Sequence, residues 1–272
     1  MLQRVHDDAV GTMATNLTRH DDPDADRLVP RRPDDAATLS AATSGFLTSI
    51  DQDDLLEAAT AADVVVAVER HPGSFVVTGT PLGHAWSRTG ARLGGDDLDR
   101  LQKKVQAAVN LGSERTAAQD VGYGLRQVTD IVNKALSPGI NDPTTAVHGL
   151  GQTSALLTEL TTYDLGPLVL HDDDDRPRVV LERPGFAELL ELAVAQPRSY
   201  GKSDPQVLSR LYGVLTDLAW HARPEHHQPV LDQLRRLDDT TGEQDLDDTE
   251  TDRLHQASQK VRRILQQDPE TR

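Results

Sequence analysis

The stretch QDVGYGLRQVTDIVNKALSPGINDPTTAVHGL, from Gln119 to Leu150, constrains the fold more than any other part of the chain. It reads as a helix, a break at Ser-Pro-Gly, and a second helix. On a 3.6-residue wheel Val121, Leu125, Val128, Ile131, Val132, Ala135 and Leu136 share one broad face, while Tyr123, Arg126, Asp130 and Lys134 lie opposite. Pro138 disfavours helical geometry at Ser137, and Gly139 can take positive φ. Asp142 then has the chemistry of an N-cap, Pro143 suits the first turn, and Thr144 and Thr145 add hydroxyls beside unsatisfied N–H groups. That helix start is able to receive an anion, although Asp142 competes for the same donors.

The rest of the chain must supply a core almost without aromatic side chains, which make up 3% of it; Leu, Val, Ile and Ala carry the burial. A net charge of −16 repels phosphate backbones, so nucleic acid is not an expected partner. There is no cysteine, which removes disulfides, thiolate catalysis and cysteine-bound metals. No apolar run approaches the roughly 20 residues that span a bilayer, and residues 1–17 have no signal-peptide core, so the chain by itself reads as soluble.

The predicted class is α+β, mostly α-helical. Residues 1–18 form an N-terminal helix with Leu2, Val5, Ala9 and Met13 in faint periodicity, and residues 19–43, rich in Asp, Pro and Arg, form a linker that isolates it. Residues 44–90 form a small α+β domain: a strand at SGFLTSID, a helix from near Asp51, a buried strand at VVVAVE, then SFVV and a further strand. Its PGSFVVTGTPL resembles the turn-strand-turn pattern of biotinyl and lipoyl barrel-sandwiches, but no lysine sits in the turn to carry a prosthetic group. Residues 96–268 form a helical domain with an inserted β-hairpin near 167–183. Other site candidates are bland: His221, His226 and His227 read as exposed, and HDDDDRP as an acidic turn. No metal site, cofactor, nucleotide-binding glycine motif or nucleophile–base pair is expected.

One longer pattern is more specific. LGSERTAAQDVGYGLRQVTDIVNKALSPGINDPTTAVHGL resembles the signature of the bacterial membrane-protein family called domain of unknown function 2254. The matching positions run from Arg115 and Thr116 through Gln119, Asp120, Tyr123, Arg126 and Asp130 to Lys134, Ser137, Asn141, Asp142 and Thr145. Weaker likeness extends over roughly Ser44 to Ala222. The resemblance implies several transmembrane helices ahead of this part, a position on the cytoplasmic face of the membrane, and a chain that is either truncated or a membrane-free member, with its abrupt start favouring truncation. It also suggests that the charged face turns inward. Arg115 and Arg126 then either hold Asp120, Asp130 and Asp142 in an architectural network or bind a small anion or nucleotide phosphate. The candidate ligand residues are Arg115, Arg126, Asp130, Lys134, Ser137, Asn141, Asp142 and Thr145. The expected role is a regulatory, ligand-sensing or assembly domain, homo-oligomeric and joined to a membrane part. The alternative is an enzyme of hydrolase type, using Asp130 or Asp142 with Arg126.

Overall fold

The computed structural model describes residues 1–20, 29–90 and 92–267. Residues 21–28 of the expected linker, and residue 268 at the end of the expected helical domain, lie outside these. Helix α1 (Leu2–Asn16) is followed by strands β1 (Ala37–Ser40) and β2 (Gly45–Ile50), helix α2 (Gln52–Ala61), and strands β3 (Val64–Val68), β4 (Phe75–Val76) and β5 (Pro81–Ser87). Next come α3 (Gly95–Ala108), β6 (Val109–Gly112), α4 (Tyr123–Ala135) and α5 (Pro143–Leu160). A hairpin of β7 (Leu168–His171) and β8 (Pro177–Leu181) precedes α6 (Phe186–Tyr200), α7 (Pro205–His221), α8 (Pro224–Gly242) and α9 (Asp248–Gln266). The class is α+β, mostly α-helical.

These elements divide into two interleaved units. A sheet unit takes Thr18–Tyr123 and Leu165–Gly185; a helical unit takes Met1–Leu17, Gly124–Asp164 and the chain from Phe186 onward. This differs from consecutive domains, and strand pairing is the reason. The hairpin expected as an insert in the helical domain joins the other unit, because β8 pairs in parallel with β3, setting Val66 against Val179 and Val68 against Leu181.

In the sheet unit, β3 is central to a five-stranded sheet of order β1-β5-β3-β8-β7. All five of its residues are buried, as a continuous Val-rich run requires when both faces are covered. Strands β4, β2 and β6 form a second, antiparallel sheet. Leu39, Leu47, Ile50, Val66, Val76 and Val179 from the two sheets share one core with Leu55 of α2 and with Leu101 and Val105 of α3. Two strands replace segments expected otherwise: Ala37–Ser40, in the expected linker, pairs with β5, and Val109–Gly112, read as the end of the helix that starts near residue 96, pairs with β2. The acidic turn also holds more than solvated charge. Arg178, 3% exposed, donates to Asp172 and to Asp63, both at 2.7 Å, and so ties the hairpin to the α2–β3 turn.

In the helical unit, α7 is the most enclosed element, with Leu208, Leu211, Val214 and Leu218 buried along it. Helix α1 is not isolated. Its Ala9 and Met13 are buried, and Ala9 packs so closely on Gly124 that a Cβ there would collide with it. The Tyr212 hydroxyl donates to Asp238 at 2.8 Å, and the same carboxylate accepts from Ser258 at 3.0 Å and Arg262 at 2.6 Å, which links α7, α8 and α9. His226 departs from its expected exposure: it is buried, with its ring stacked on Phe186 at 4.2 Å. The Phe186 ring, from α6, covers the imidazole in place of solvent. Among the described residues no helix is long and apolar enough to cross a membrane.

Candidate functional site

The signature segment is divided between the two units after Tyr123. In the sheet unit, Gln119 to Gly122 stay outside the helix, which begins only at Tyr123. That leaves their side chains available for tertiary bonds. The Gln119 amide accepts from the Ile50 N–H at 2.8 Å and donates to the Ile50 carbonyl at 3.1 Å, replacing a missing strand neighbour at the end of β2. Both backbone groups of this buried strand end are thereby satisfied.

Asp120 is 4% exposed. Arg115 donates to its Oδ2 twice, from Nε at 2.9 Å and Nη2 at 2.6 Å, and lies 5.7 Å from the Tyr123 ring centroid. Burial pushes the Asp120 carboxyl above its ordinary value, and the Arg115 bond, the Arg115 and His71 charges and the Gly122 N–H pull it partly back. The carboxylate rests on Gly73, whose φ of +93° belongs to the HPG turn. A Cβ at that position would overlap Asp120 and crowd Arg115. Arg115 is thus a partner of a buried acid in the sheet unit.

The remaining candidates lie in the helical unit, and their charges are matched locally. Leu125, Val128, Val132, Ala135 and Leu136 are buried as the wheel requires, with Ile131 half-buried. Arg126 Nε meets Asp130 at 2.9 Å as an i,i+4 pair with side chains 39% and 55% exposed. This corrects the expectation that these charges turn inward towards α5, because a partner one helical turn away satisfies the guanidinium while both side chains keep contact with water. Lys134 is exposed. Ser137 donates back to the Lys134 carbonyl at 2.7 Å. The left-handed residue is Asn141 (φ 49°), not Gly139, and it lets the Asp142 N–H reach the Ala135 carbonyl at 2.8 Å. Asp142 caps α5 as expected, accepting from the Thr145 N–H at 3.0 Å and the Thr145 hydroxyl at 2.6 Å. Those two bonds, hydroxyl first, hold its carboxyl below the usual range.

This arrangement is poor in chemistry. Asp142 occupies the donors that an anion would use, and among the described residues no group of three His, Cys, Asp or Glu side chains is placed to hold a metal. The roles of His71, Gly73 and the Arg178–Asp172 pair were missed in the sequence, where only the hairpin turn and the HPG turn signalled them.

Comparison with known proteins places this geometry in a family. The chain is 37% identical over 198 residues to an uncharacterized protein of Mycobacterium bovis, and equally to one of Mycobacterium tuberculosis H37Rv. Each alignment takes in 72% of this chain, which spans only 38% of the length of those relatives. No solved structure matches it. A family model described as predicted membrane protein, DUF2254, matches residues 1–217, so the Arg115–Asp120 tie and the capped α4–α5 turn both fall inside it, and the chain belongs to that family.

Proposed function

We propose that this chain is a regulatory or assembly domain of a membrane protein, acting as a homo-oligomer on the cytoplasmic face. The observation that carries the reading is the local matching of the signature's charges. Arg115 is held by Asp120, Arg126 by Asp130, and Asp142 by Thr145, so the family's defining segment builds structure instead of presenting reactive groups. The greater length of the mycobacterial relatives leaves room in them for a membrane part to which such a domain would answer. The hydrolase alternative gains nothing from the geometry, since Asp130 is an exposed half of a surface pair and Asp142 is a helix cap.

The test is the mass of the chain in solution by light scattering, together with its melting temperature against a panel of anions and nucleotides. An oligomer, or a saturable stabilisation by one panel member, supports the reading. A monomer at every concentration that responds to none of them refutes it.

A further inference from the structure

We infer that an open cavity of about 410 Å³ in the sheet unit is a binding site for a small organic phosphate. The site lies away from the signature and does not depend on the role proposed above. Its floor is Val65 of β3 and Trp86 of β5, which face each other in the strand register and are both buried. They belong to a small apolar cluster separate from the main core of the unit. Arg31, Arg88 and Arg92 stand around this floor, with Asp35 the single carboxylate among the described lining residues.

Three features point to an anionic ligand. First, acids outnumber bases 44 to 28 in this chain, yet three guanidiniums gather here against one acid. Second, none of the three makes a hydrogen bond or ion pair among the described residues, whereas the adjacent Arg32 is engaged by Glu69 at 2.6 Å. Unpaired like charges repel, and a bound anion relieves that repulsion. Third, the volume lies within the roughly 300–1,000 Å³ of small-molecule sites, which combine apolar walls with a few convergent polar groups. Guanidinium forks match phosphate oxygens in pairs, and the Val65–Trp86 floor takes the organic part of the molecule. A soluble phosphate ester and a phospholipid headgroup present the same chemistry.

The experiment uses the fluorescence of Trp86 in a Trp220→Phe background, which leaves one tryptophan. The probes are inorganic phosphate, phenyl phosphate, glycerol 3-phosphate, and vesicles of phosphatidylcholine with and without phosphatidylglycerol. Phenyl phosphate is expected to give a saturable change, at lower concentration than inorganic phosphate. Arg31→Ala and Arg88→Ala each weaken it about tenfold or more, as loss of a charge-assisted contact requires. Arg253→Ala/Arg263→Ala, which removes two exposed arginines in the other unit, leaves it unchanged. A response confined to vesicles containing phosphatidylglycerol also supports the site and identifies lipid as the source. No saturable response to any probe overturns it. So does an undiminished response in Arg31→Ala/Arg88→Ala/Arg92→Ala with an unchanged circular dichroism spectrum.

Discussion

Replacing Arg115 by alanine removes both donors from a carboxylate that is 4% exposed. Unpartnering a buried charge costs roughly 3–5 kcal/mol. The lower part of that range applies, because the Arg115 side chain is itself 27% exposed and water can partly replace it. Loss of the Tyr123 ring contact adds about 0.5 kcal/mol, so the expected total is about 3–4 kcal/mol. With a urea dependence of about 1–3 kcal/mol per molar, the midpoint falls by about 1–4 M. The two units need not unfold together, so each needs its own reporter. Trp86, 9% exposed, lies in the sheet unit, and Trp220, 45% exposed, in the helical unit. Single-tryptophan versions made with Trp220→Phe or Trp86→Phe separate the two transitions. The penalty must also depend on pH. Asp120 holds its proton more tightly folded than unfolded, so its contribution to stability is greatest in acid and is lost as pH rises from about 3.9 through the raised folded value. Without Arg115 that value rises further, and the Arg115→Ala penalty therefore shrinks as pH falls towards 4 or below. Comparison with Asp120→Asn, which cannot titrate, isolates this group from Asp172, whose carboxyl is depressed and whose pH slope runs the other way. An Arg115→Ala penalty that is the same at pH 4 and pH 7, or that appears only in the Trp220 transition, refutes the buried-pair account.

Gly73→Ala is expected to destabilise the sheet unit by about 1–3 kcal/mol in the Trp86 transition, because a side chain at positive φ is strained and overlaps Asp120. Arg126→Ala should move the Trp220 transition by no more than about 0.5 kcal/mol, as exposed ion pairs do; a loss several times larger would restore an inward role for this residue. Asp142→Ala should lower the helical unit's melting temperature at neutral pH. Because the folded carboxyl is depressed, the wild-type advantage is present above its ordinary value of 3.8 and disappears as pH falls below it; calorimetry at pH 7 and pH 3 checks this.

Local patterns were legible in the sequence. The apolar stripe of α4, the Asp142 cap, the buried Val64–Val68 strand and the hairpin all rest on neighbours within a few residues, where periodicity and turn chemistry act. What the sequence concealed lies in long-range pairing. The strand Ala37–Ser40 is four residues long inside a charged stretch, and only its distant partner Ala85 and the residues beside it define it as a strand. The two halves of the Arg178–Asp63 pair are separated by 115 positions, so no motif announces them. Arg126 and Asp130 mislead for the opposite reason. Their position in a dense family signature suggested a tertiary role, while the ordinary one-turn pairing already present in their spacing was sufficient.

The parallel union of β3 with β8 also governs how the chain must emerge during synthesis. Val64–Val68 is made early, but the strand that covers one of its edges follows only after the segment containing α4 and α5. Until then a valine-rich strand has unpaired backbone groups along one side, the kind of surface that recruits other nascent chains. Ribosome-bound intermediates ending before Pro177 should therefore depend on chaperones far more than those that end after Leu181.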